Sequence, residues 1–94
     1  MEPSDKVIAN PVVVLREEFD DWAVLYNPDT AHAVGVNPTA VTVWKLLDGR
    51  RSVADVVRAA VGSYASVPEG AEADVESVLT RLVDEGFAGV EGAG

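Results

Sequence analysis

Ninety-four residues without a cysteine describe one domain with a modest core, and they exclude a disulfide framework, a thiolate metal site and a cysteine nucleophile. Hydrophobic residues make up 48% of the chain and the mean hydropathy is +0.12, a globular rather than a disordered composition. The net charge of -9, from sixteen acidic and seven basic residues, gives a surface that repels phosphate backbones, so nucleic acid is not an expected partner. No apolar run approaches the roughly 20 residues that span a bilayer, so no membrane partner is expected either. Met1-Glu2-Pro3-Ser4-Asp5-Lys6 lacks the basic and apolar regions of a signal peptide, and the expected location is the cytoplasm.

Residues 1–10 are polar, end in Asn10-Pro11 and read as a flexible arm. Val12-Val13-Val14-Leu15-Arg16 is a β-branched run and a predicted strand. Glu17-Glu18-Phe19-Asp20-Asp21 reads as a solvated turn; a calcium loop needs a longer alternating ligand series and a glycine bend. Trp22 to Tyr26 is a second strand, with Trp22, Val24 and Tyr26 on one face and Ala23 and Leu25 on the other. Asn27-Pro28-Asp29-Thr30 turns the chain back into a third strand over Ala31-His32-Ala33-Val34-Gly35-Val36. The close turns predict an antiparallel meander whose third strand has one open edge, and Gly35 suits a bulge or a close backbone approach there.

Asn37 and Pro38 mark the N-cap and first position of a helix whose buried face is Ala40, Val43, Trp44 and Leu47. Trp44 is expected to be mostly buried, and Gly49 to end the helix in a left-handed conformation. Ser52 and Asp55 form a capping-box pair for a second helix with Val53, Val56, Val57, Ala60 and Val61 on its apolar face, ending near Gly62. Ser63 to Ala73 connects to a third helix. Ser66 with Glu69 offers an early cap, and Gly70 argues for a later start. Val75, Val78, Leu79, Leu82 and Val83 are the clearest helical stripe, Arg81 can pair with Glu85, and Gly86 stops the helix. Phe87-Ala88-Gly89-Val90 reads as a short extended return before a flexible tail over 91–94. The expected fold class is α+β, winged helix-turn-helix-like, with a three-stranded antiparallel sheet followed by three helices and the domain proper over 11–90.

Signatures of catalysis are scarce. His32 is the single histidine and has no paired nucleophile; the carboxylates scatter over turns and helix surfaces; no glycine-rich phosphate loop or metal-ligand spacing occurs. No enzyme activity, metal or cofactor is expected. The third helix, taken as a recognition helix, exposes Asp74, Glu76, Asp84 and Glu85 with Arg81 as its one cation, the wrong sign for a major groove. Arg50-Arg51 is a small patch beside a helix start. An open strand edge flanked by a helix suits β-augmentation, in which a peptide adds a strand and sends side chains into a neighbouring groove. A plain structural module, its edge covered by a tail or a second copy, fits the same elements.

Val36-Asn37-Pro38-Thr39-Ala40, then Trp44-Lys45-Leu46-Leu47-Asp48-Gly49, then Arg51-Ser52-Val53-Ala54-Asp55-Val56-Val57 resemble the PqqD-like family, peptide-recognition domains of ribosomally made, post-translationally modified peptide pathways. Asp74-Val75, Leu79, Leu82 and Gly86-Phe87 resemble the family's last helix and its ending, and the likeness spans about residues 12–90. The resemblance implies a non-catalytic adaptor. It implies that a precursor's leader peptide adds as a strand along Ala31, His32, Ala33, Val34, Gly35 and Val36, against Asp74, Val75, Val78, Leu79, Arg81 and Leu82 of the third helix. It implies presentation of the bound leader to a separate maturation enzyme, a radical SAM protein or a leader peptidase. The pyrroloquinoline quinone pathway itself is not implied. A winged-helix nucleic-acid-binding regulator and a structural dimerisation module stand as the alternative functions.

Overall fold

Two small antiparallel sheets and three helices share one core in the computed structural model of the chain, which describes residues 1–18, 20, 22–64 and 66–91. In chain order the elements are β1 (Lys6–Ala9), β2 (Val14–Glu17), β3 (Ala23–Asn27), β4 (His32–Val36), α1 (Pro38–Lys45), β5 (Asp48–Ser52), α2 (Val53–Gly62), α3 (Ala71–Asp84) and β6 (Ala88–Glu91). Glu91 therefore ends a strand, and the rest of the expected tail lies outside the described residues.

The α+β class is as the sequence predicts, but there are two sheets rather than one. The first is the expected meander, in the order β2-β3-β4. Its period-two alternation buries Ala23, Leu25 and Asn27 and exposes Trp22 and Tyr26. Asn27 is buried yet satisfied within its own turn, where its side-chain oxygen accepts the Asp29 N–H at 2.9 Å. Ala31 has φ 61° and belongs to that turn, so β4 begins one residue later than the sequence predicts. β2 begins at Val14 because Asn10 holds the preceding turn: its carbonyl accepts the Val13 N–H at 3.0 Å and its side chain the Val12 N–H at 3.2 Å. Phe19 and Asp21, of the turn expected over residues 17–21, lie outside the described residues.

The second sheet overturns the reading of residues 1–10 as a loose arm. Its order is β5-β1-β6, so β1 is its central strand, and Val7 is fully buried. The reason is long-range pairing: Val7 lies opposite Val90 and Ile8 opposite Gly89, partners at the far end of the chain. On the other side, the two-residue step from Lys6 to Ile8 is matched by a four-residue step from Asp48 to Ser52, so β5 bulges. Gly49, at φ +80°, supplies that bulge rather than the end of the helix. The helix stops earlier, at Lys45 capped by Leu46. Arg51, in β5, pairs with Asp48 at 2.8 Å.

Helix starts follow local chemistry closely. The Asn37 side chain accepts the Ala40 N–H at 2.9 Å, with Pro38 at the first position. Ser52 and Asp55 exchange both bonds of a capping box, at 3.1 and 3.3 Å. α3 has no side-chain cap: Gly70, at φ 81°, leads into it, and Ser66 and Glu69 form no capping box. The core gathers Val7 and Leu25 from the two sheets, Val43, Val56, Val75 and Leu79 from the three helices, and Phe87 from the turn after α3. Trp44 only packs against this core and is half-buried, not mostly buried, because α1 is short and the tryptophan stands at its last turn.

Candidate functional site

β4 is an edge strand. One side pairs with β3 in the register Leu25↔Val34 and Tyr26↔Ala33, and no strand among the described residues pairs with the other. An antiparallel edge presents alternate N–H and C=O groups outward, which a second extended chain can satisfy. Its residues are small: Ala33 and Gly35 are exposed, and a Cβ built on Gly35 meets nothing within 4 Å.

Beside this edge lies a groove of about 220 Å³. Val34, Gly35 and Val36 form one wall, and Val78, Arg81 and Leu82 of α3, with Glu85 at its C-cap, form the other. Asn37 and Ala40, from the start of α1, close one end. Trp22, which is 52% exposed, stands at the rim, and Phe87 lies in the floor. Phe87 is held there by the way α3 stops. Gly86 takes φ 80°, the Phe87 N–H bonds the Leu82 carbonyl at 2.9 Å, and the Gly86 N–H bonds the Val83 carbonyl at 3.1 Å. These are the two bonds of a Schellman motif, whose hydrophobic contact would join Phe87 to Leu82.

The polar groups of the groove are linked. Arg81 Nε donates to Glu85 Oε2 at 2.9 Å, and the other oxygen of Glu85 lies 3.4 Å from His32 Nε2. The His32 ring stacks on Phe87 with centroids 5.3 Å apart and planes 14° from parallel. This chain ties the start of β4 to the end of α3 and leaves the apolar middle of the groove open.

Of the residues that the sequence analysis placed in a peptide site, the structure brings Val34, Gly35, Val36, Val78, Arg81 and Leu82 to this groove. Ala33 lies exposed in the same strand, and His32 flanks the groove through its contacts with Glu85 and Phe87. Ala31 sits in the turn before β4. Val75 and Leu79 are fully buried in the core rather than at the groove surface, because a helix between a sheet and other helices spends its most apolar face inward. Asp74 is exposed in the first turn of α3, away from the groove lining. Sequence reasoning missed Trp22, Asn37, Ala40, Glu85 and Phe87. For Phe87 a signal existed, since Gly86 followed by an apolar residue is the pattern of a Schellman end. Among the described residues, no group of three His, Asp or Glu side chains is placed to hold a metal ion.

The fold and this edge define a small α+β domain with a half-open sheet beside a helix. The family model of coenzyme PQQ synthesis protein D (PqqD) matches residues 23–88, and the chain belongs to that family. A solved structure, TbiB1 in complex with the TbiA(beta) leader peptide, shares the fold with a TM-score of 0.66 at 23% identity, covering 93% of this chain and 98% of that one. No curated protein matches the chain in sequence. No helix among the described residues is long and apolar enough to cross a membrane.

Proposed function

We propose that this chain is a non-catalytic cytoplasmic adaptor that binds the leader of a ribosomally synthesised precursor peptide by strand addition along β4. The observation that carries the reading is the β4 edge, unpaired among the described residues and lying directly beside the groove against α3. A leader strand takes its main-chain bonds from that edge and sends alternate side chains into the groove over Val78, Leu82 and Phe87. Membership of the PqqD family supports this, as does the shared fold with a protein solved in complex with a leader peptide. The bound precursor then passes to a separate maturation enzyme, a radical SAM protein or a leader peptidase.

The nucleic-acid alternative meets an unfavourable field. The exposed side of α3 carries Glu72, Asp74, Glu76 and Asp84 on a chain of net charge -9.

Amide chemical-shift mapping with the leader of a precursor encoded beside this chain tests the proposal. The expected shifts centre on His32–Val36, Val78, Leu82 and Phe87. Shifts confined to Arg50, Arg51 and Glu17, with β4 silent, would overturn it.

A further inference from the structure

α3 has a second side. At 3.6 residues per turn, the mean direction of Glu72, Glu76, Thr80 and Val83 lies about 160° from that of Val78, Arg81 and Leu82. That side faces α2 across an open groove of about 950 Å³, much larger than the one at β4 and bounded at one end by Met1, Pro3, Asp5 and Val90. Ala54, Val57, Val61 and Val83 give it an apolar floor, and Ala54, Val61 and Val83 are only half-buried. Glu72, Glu76 and Asp84 form its rim, and none of the three enters an ion pair among the described residues. Arg58, the cation at the groove, is already paired with Asp55 at 3.3 Å.

We infer that this α2/α3 groove docks a cationic amphipathic helix of the maturation enzyme, on the side of α3 opposite the leader. The identification of the enzyme as its source rests on the adaptor function proposed above; the chemistry of the occupant rests on the groove. From residue 72 to residue 84 a helix rises about 18 Å, enough to lie along some three turns of a partner helix. Apolar residues of such a helix would cover Val61 and Val83, while Lys or Arg at its flanks would meet the three carboxylates. The net charge of -9 steers a cationic partner and disfavours a second copy of this chain as the occupant. Because the two grooves use opposite sides of one helix, leader and enzyme are held together without competing for side chains.

The probe is a synthetic amphipathic helix of leucine and lysine, set against a scrambled peptide of identical composition, each titrated into the full chain with amide shifts recorded. Saturable shifts should centre on Ala54, Val61, Glu72, Glu76 and Thr80 and leave β4 unmoved. The scramble should bind at least tenfold more weakly, and so should the amphipathic peptide to a Glu72→Lys, Glu76→Lys, Asp84→Lys variant with an unchanged circular dichroism spectrum. Equal binding of both peptides would reduce the effect to bulk charge and overturn the groove. In reconstitution with the enzyme that modifies the bound precursor, the variant should raise KM for the adaptor–precursor complex at least tenfold while its affinity for the leader stays that of the parent. An unchanged KM overturns the assignment to the enzyme. Loss of leader binding in the parent chain would instead overturn the adaptor function, so the two failures are read from different residues.

Discussion

Gly35 and Gly49 are both strand glycines, and they answer different constraints. Gly49 has φ +80°, and a Cβ there would stand 3.1 Å from the end of the Ile8 side chain. Gly49→Ala should therefore lower stability by about 1–2 kcal/mol in urea titration, mainly through left-handed strain. Gly35 has no such backbone demand, and its Cβ would enter open space. Gly35→Val should keep stability within about 0.5 kcal/mol of the parent while weakening leader binding, because it adds bulk beside the free edge. A large loss of stability would show that Gly35 serves the fold instead. The capping box makes a pH expectation at the same scale. The Ser52 backbone N–H, reinforced by the Ser52 side chain, holds the Asp55 carboxyl below its usual 3.8, and the Arg50 backbone N–H does the same for Asp48. A carboxyl lowered on folding contributes stability above its unfolded value and loses it as pH falls through the folded value. The urea midpoint should thus drop below about pH 4, and Asp55→Asn should drop less over that interval. An identical acid slope in parent and variant would remove Asp55 from the account.

At the scale of elements, β4 is informative because alternate amides of an antiparallel edge strand point to opposite sides. Ala33 and Val34 are successive, so one N–H faces β3 and the other the open edge. Proline removes that donor and fixes φ. Of Ala33→Pro and Val34→Pro, one should lose the cooperative unfolding transition, and the other should keep it but lose leader binding. If both variants bind leader like the parent, strand addition at β4 is excluded. Helices were the elements most legible in the sequence, since their periodicity and caps lie within a few residues of each other. Asn37 with Pro38, and Ser52 with Asp55, bond their own helix starts. α3 was less sharply bounded at its start because Gly70, not a capping side chain, opens it.

For the molecule as a whole, the decisive strand is the first. β1 bonds on both sides, to β5 and to β6, so removing it unpairs both neighbours and opens the core at Val7. Deletion of residues 1–9 should abolish the native circular dichroism and amide dispersion. A deleted chain that stays folded would make the second sheet dispensable. The same long-range tie places the end of α3: the Asn10 N–H bonds the Phe87 carbonyl at 2.9 Å, fixing the floor of the β4 groove from the opposite end of the chain.

The meander, the three helices, the N-caps at Asn37 and Ser52 and the acidic surface could be read from the chain alone, because each depends on side chains near one another in the chain or on composition. The sequence also held the family likeness and the open third strand. That Lys6–Ala9 is a central strand followed from long-range pairing, since four residues of mixed polarity gain their partners from β5 and β6. Tertiary packing alone decided which side of α3 faces the candidate site. A hydrophobic stripe marks what is buried: Val75, Leu79 and Leu82 all went to the core, and Leu82 also reaches the groove beside the half-buried Val78. Trp22, Asn37, Ala40, Glu85 and Phe87 joined them there because a groove is the space left between elements, and no single element's periodicity encodes it.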